Sequence, residues 1–279
     1  MRDIFRQHAL ALALVSALVV GLAACQRDST PAGAPQATSP SLAEVPATPA
    51  PVELKDVVER DPRYIIGISY PAVATRYPGL AAELKRYADA ARAELMQAVA
   101  GIGEQKPVAP YDLSLAFSEI AATPQLVAVA ADGSSYTGGA HGNPLIARFV
   151  WLPQQDKRLT AAELVPDPKS WRNISDYVRE QLHAALSTRI DADEMPAADR
   201  AEIIRSAGKM IEEGTSPEPG NFDQFEPVLS SNGTLIALRF VFPPYQVGPY
   251  ADGVQSVEVP AKVLLPEIAP EYRSLFGVK

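Results

Sequence analysis

The stretch Ser135-Tyr136-Thr137-Gly138-Gly139-Ala140-His141-Gly142-Asn143-Pro144 gathers hydroxyls, a phenol and an imidazole among three glycines. A neutral imidazole at His141 offers a base, a metal ligand or a hydrogen-bonding group. No second histidine stands at a ligand spacing, since His8 lies in the N-terminal segment and His183 on a helical pattern, so no metal site is expected. A second stretch, Phe240-Val241-Phe242-Pro243-Pro244-Tyr245-Gln246-Val247-Gly248-Pro249-Tyr250-Ala251-Asp252-Gly253, leaves a strand through paired prolines and turns on Gly248 and Gly253. Tyrosine is apolar on its face and polar at its tip, which suits Tyr245 and Tyr250 to contact with a partner. Tyr136, Thr137, Gly138, Gly139 and His141 of the first stretch, with Tyr245, Gly248, Tyr250, Asp252 and Gly253 of the second, are therefore the candidate binding residues. None receives a catalytic role, and no cofactor is expected.

Catalytic motifs are incomplete. Ser206-Ala207-Gly208-Lys209 spells S-x-x-K and Ser230-Ser231-Asn232 spells S-x-N, but no lysine is followed by Thr-Gly or Ser-Gly to complete the penicillin-binding set. The second triplet reads better as a turn. There is no G-x-S-x-G elbow, no H-E-x-x-H and no G-x-x-x-x-G-K phosphate cradle. The alternative to a binding module is an envelope hydrolase with His141 as acid or base beside Asp132 or Asp252; a structural envelope lipoprotein is the third reading.

The elements that must position these residues can be read from periodicity. Residues 64–70, 111–117, 125–131 and 145–152 read as strands, the last two flanking the glycine-rich loop in an antiparallel meander. Leu80, Leu84, Tyr87, Ala91, Leu95 and Val99 recur at helical spacing, as do Trp171, Ile174, Val178, Leu182 and Leu186. Thr160 with Glu163 forms a capping box, and a further helix over 196–213 opens on proline and stops at Gly214. Strands follow over 222–229, 235–242 and 255–259, the first two joined by Ser231-Asn232-Gly233, and a short helix over 264–275 closes the chain. This order predicts an α+β fold, antiparallel sheets with helices packed on one side. Residues 52–279 form the folded part, with a seam between two halves expected at 153–157.

Before it, Arg2 and Arg6 precede an uncharged apolar run that ends in Leu22-Ala23-Ala24-Cys25. The run is short for a membrane span and reads as a signal peptide over 1–24. Its end resembles the bacterial lipobox, which implies acylation of Cys25, the only cysteine, and attachment to the membrane through lipid. Gln26 in place of aspartate directs the expectation to the outer membrane, facing the periplasm. Prolines at 31, 35, 40, 46, 49 and 51 make residues 25–51 an extended tether. The net charge of -8, or -9 once 1–24 is removed, disfavours nucleic acid and favours a cationic partner. A hydrophobic content of 47% supports a core without disulfides.

Tyr136 to His141 and Pro244 to Gly253, the latter followed by an apolar strand and Pro260, together resemble an extracytoplasmic bacterial domain family over roughly residues 63–265. Its members include the outer domain of RsiV, a lysozyme-sensing anti-sigma factor, and the N-terminal region of a peptidoglycan deacetylase. The resemblance implies an α+β fold and recognition of lysozyme or peptidoglycan. No sigma-binding segment, transmembrane helix or deacetylase Asp-Asp and H-x-x-x-H pattern is found, so only recognition is expected to transfer.

Overall fold

The computed structural model describes residues 52–192 and 196–277. The expectations placed on 1–51, namely the leader, the acyl site at Cys25 and the tether, lie outside the described residues. A strand that no apolar alternation announces, β1 (Val57–Asp61), turns back at once onto β2 (Tyr64–Ser69). After a 3₁₀ turn, α1 (Pro78–Gly101) opens with proline and buries Leu80, Leu84, Ala88, Ala91, Leu95 and Val99. This helix returns the chain to the end of the sheet it left, so β3 (Tyr111–Ala122) runs parallel to β2. A tight hairpin cannot make that connection and a helical crossover can. The antiparallel expectation is corrected at this one pair. β4 (Val127–Tyr136), β5 (Asn143–Leu152) and β6 (Lys157–Arg158) then add antiparallel neighbours, giving six strands in chain order. The seam expected at 153–157 falls on the turn between β5 and β6 and on Lys157, the first residue of β6.

Every residue of 127–131 and 147–152 is buried, which an alternating one-sided strand would not show. One face packs on α1 through Val127, Val129, Ala131, Phe149 and Trp151. The opposite face, through Ala128, Val150 and Leu152, joins a second core. That core holds α2 (Ala161–Leu164), α3 (Ser170–Ala192), α4 (Ala197–Gly214) and a three-stranded antiparallel sheet of β7 (Phe225–Leu229), β8 (Leu235–Phe242) and β9 (Gln255–Pro260). Trp171, Phe222, Phe240 and Phe242 fill its centre, and α5 (Ala261–Leu264) with a closing 3₁₀ turn seals it. The six-stranded sheet thus carries a helix on one face and part of the second layer on the other. The fold is α+β, and the described residues all fall within one compact unit, Pro49–Lys279.

A polar joint crosses the two sheets. Arg148 on β5, 8% exposed, donates from Nε to Glu226 of β7 at 2.9 Å and from a terminal nitrogen to Asp132 at 3.0 Å. Glu226 also accepts from Arg239 of β8 at 2.8 Å, and the Arg148 backbone N–H donates to the Gln224 side chain at 2.7 Å.

The expected capping box is present, with Thr160 and Glu163 each accepting from the other's backbone N–H. Partial burial pushes the Glu163 carboxyl up, but hydrogen bonds from Thr160 and Lys157 outweigh it and hold the group below its ordinary value of 4.5. A depressed carboxyl contributes stability above its unfolded value and loses it as pH falls through the folded value. Glu163→Gln should therefore melt below wild type at neutral pH. The two melting curves should converge as the solution is acidified below the ordinary carboxylate range; a gap that persists in acid would contradict the assignment.

Candidate binding site

The first candidate loop is set by the end of the β4–β5 ladder, whose last pair is Ser135 with Asn143. Gly138 and Gly139 take φ values of 101° and 99°, which residues with a Cβ rarely adopt, and this lets the chain reverse. The Tyr136 hydroxyl donates to the Gly139 carbonyl at 3.2 Å and staples the turn. His141 Nδ1 lies 3.0 Å from the Gly142 carbonyl. A carbonyl can only accept, so Nδ1 carries a proton, and in the neutral ring Nε2 is left as the acceptor.

Nε2 meets the second loop. The Tyr245 hydroxyl stands 2.9 Å from it and donates to the neutral ring. The Tyr250 ring stacks on the imidazole with centroids 3.9 Å apart and planes 17° from parallel, and Tyr245 packs on Tyr250 at 5.7 Å. Segments about a hundred residues apart in sequence thus close into one aromatic ridge. His141 and Tyr245 are exposed on it, Tyr245 by 54%.

Tyr245 adopts φ 74°, a conformation uncommon outside glycine and costly for a bulky side chain. Four hydrogen bonds hold the loop in this shape. Its N–H donates to the Gly248 carbonyl at 2.9 Å, and the Gln246 N–H to that of Pro243 at 3.1 Å. The Gln246 side-chain amide donates to the Gly214 and Asn221 carbonyls at 3.0 and 2.9 Å, tying the loop to the end of α4. Gly214 permits this approach: a Cβ there would lie 2.0 Å from the Gln246 carbonyl oxygen. Gly248 is buried for a similar reason, with the Gln255 amide and the Asp252 carboxylate where a Cβ would stand.

Of the ten candidate residues, the fold brings His141, Tyr245 and Tyr250 into mutual contact. Tyr136 bonds within its own loop, and Thr137, Gly138 and Gly139 are exposed at its tip. Gly253, at φ 68°, turns the chain into β9, and Gly248 shapes the second loop. Asp252 points elsewhere: its carboxylate accepts from Arg189 of α3 at 2.8 Å. Asp132, the other carboxylate considered for a hydrolase, is held by Arg148. Neither forms the hydrogen bond to His141 that would make it an acid–base partner. Lys209 pairs with Glu213 at 3.6 Å on an exposed helix face, and Ser230-Ser231-Asn232 makes the β7–β8 turn. No group of three His, Cys, Asp or Glu gathers as a metal set among the described residues. Nor is any described helix long and apolar enough to cross a membrane. Sequence reasoning missed Gln246, Gly214 and Arg189, whose roles depend on contacts between elements and leave no local signal.

Residues 164–262 match a family model described as "Protein of unknown function (DUF3298)". The match spans α3, α4, the three-stranded sheet and the second loop, and stops short of the His141 loop. A DUF3298 family protein from Pseudomonas aeruginosa PAO1 aligns with a TM-score of 0.51 and 16% identity, over 80% of this chain and 95% of that one. A member of the family from Bacteroides fragilis NCTC 9343 aligns with a TM-score of 0.46 and 16% identity, over 75% and 86%. At that identity the Pseudomonas likeness concerns the fold. No curated protein matches.

Proposed function

We propose that this chain is a lipid-anchored binding module of the bacterial cell envelope, recognising lysozyme or peptidoglycan through the ridge formed by residues 136–141 and 245–253. The observation that carries the reading is the exposed His141 imidazole, stacked on Tyr250 and capped by the Tyr245 hydroxyl. A tyrosine held at positive φ on an exposed loop is strain of the kind that accompanies function. Aromatic rings preset by their own contacts lose little entropy on binding, and they suit both protein anchors and the apolar faces of sugars. The lipobox at Cys25 and the proline-rich tether support the location, and the likeness of the two motifs to the RsiV outer domain and the deacetylase region supports the partner class. The acidic balance of -8 favours a cationic protein such as lysozyme.

The test is capture of lysozyme and co-sedimentation with purified sacculi, using the full chain in detergent at low and high salt. Binding of one of them is expected. A lysozyme complex should weaken with salt, whereas a glycan held by stacking should not. Tyr245→Ala should cost about 2 kcal/mol, or roughly thirtyfold in affinity, as the loss of a central aromatic anchor does. Binding of neither partner, or binding indifferent to Tyr245, would refute the proposal.

A further inference from the structure

Two adjoining cavities are lined in part by the second loop. The inner one, about 180 Å³, is floored by Ala185 and Leu186 of α3, Ala207 and Ile211 of α4, and Val247. The outer one, about 330 Å³, opens between Ile203, Ser206 and Pro249. Arg189, Ala207 and Asp252 line both, so the Arg189–Asp252 ion pair stands where the cavities meet. Val247, Pro249 and Asp252 belong to the same loop as Tyr245 and Tyr250, so the cavities and the aromatic ridge share one loop.

The lining selects a ligand. Arg189 is 43% exposed and gives one hydrogen bond, to Asp252, among the described residues. A guanidinium has five donors in a fork matched to a carboxylate, so most remain for a second oxyanion. Asp252 holds Arg189 through Oδ2, which leaves Oδ1 to accept an N–H, and Gln255 adds an amide able to donate and accept. Asp252, with Glu202 also lining the outer cavity, disfavours a multiply charged anion. A wholly apolar ligand would strip water from all of these groups without replacing it. The floor is small and aliphatic, and a cavity of about 150 Å³ holds a molecule the size of benzene, so the inner space admits a few heavy atoms and not a polymer.

We propose that this cavity takes the free carboxylate end of a short peptide with methyl-sized side chains, of the kind peptidoglycan carries. The carboxylate lies on Arg189, the last peptide N–H on Asp252, and the methyl groups on Ala185, Ala207 and Val247. The proposal rests on the recognition reading above and deepens it, with the ridge meeting the outside of the wall polymer and the cavity its peptide end.

Titration of the full chain with N-acetyl-D-alanyl-D-alanine, followed by calorimetry and by amide NMR shifts at 185–189, 207–211 and 247–255, tests it. Saturable binding is expected, and the C-terminal carboxamide should bind about tenfold more weakly or worse, since it lacks the charge-assisted pair. Arg189→Met should reproduce that loss. Ala207→Leu, which fills the floor and leaves the ion pair intact, should abolish binding, with thermal melting of each variant verifying that the fold persists. Tyr245→Ala should keep the dipeptide while losing sacculi, so failure of the ridge and failure of the cavity are told apart. No binding, equal binding of acid and carboxamide, or binding of the L,L-peptide alone would overturn the assignment.

Discussion

Glu226→Ala should destabilise the protein by about 3–5 kcal/mol, the range for removing one partner of a buried ion pair. The substitution leaves the Arg148 guanidinium, 8% exposed, with Asp132 and backbone carbonyls but without the carboxylate that balances it between the sheets. Arg239 loses the same partner and keeps Glu258. Asp132 is itself 48% exposed and screened by water, so it cannot take over the buried charge. A domain of this size shifts in melting temperature by roughly 2–4 °C per kcal/mol, which makes the loss visible in a thermal scan and in the urea midpoint. The double variant Arg148→Met with Glu226→Leu removes both charges and should recover much of the loss. A Glu226→Ala protein as stable as wild type would mean that the joint contributes nothing and that apolar packing alone holds the sheets together.

Gly214→Ala should both destabilise the fold and disable the ridge. Its added methyl would meet the Gln246 carbonyl oxygen at 2.0 Å and its carbon at 2.7 Å, which are backbone atoms unable to swing aside. Overpacking of this kind costs about 1–3 kcal/mol. Relief requires the loop to retreat, breaking the Gln246 bonds to Gly214 and Asn221 and drawing Tyr245 off His141. Capture of lysozyme or sacculi should fall at least as far as in Tyr245→Ala. Gly220→Ala is the control, because nothing lies within 4 Å of a Cβ there and no change is expected. Should Gly214→Ala keep full binding, the loop would not depend on α4 for its position.

How much of this was legible depends on the range of the interaction concerned. The Thr160–Glu163 box, the proline-led α1 and α4 and the turn at Gly233, with φ 81°, are local events, and their residues announce them. β1 went unseen because its side chains are only half-buried at best, and the parallel β2–β3 pair because register between distant strands has no local mark. The continuous apolar runs of β4 and β5 marked strands, but the second layer that covers them lies far away in sequence. For the site, glycines and tyrosines flagged the two loops, and the fold brings them together through the His141–Tyr245 and His141–Tyr250 contacts. Tyr136 and Asp252 were grouped with them by position, whereas one is tied within its own turn and the other faces α3. Arg189 sits in the last turn of a helix where a cation is unremarkable, and only folding brings it to Asp252.

The most direct measurement is hydrogen–deuterium exchange of the full chain with and without saturating lysozyme or solubilised peptidoglycan. One continuous footprint covering 137–142 and 245–253 together, lost in His141→Ala, is the expected result. Slowed exchange confined to one of these segments, or appearing on α1 and the β1 edge while both loops exchange as before, would contradict a shared recognition ridge.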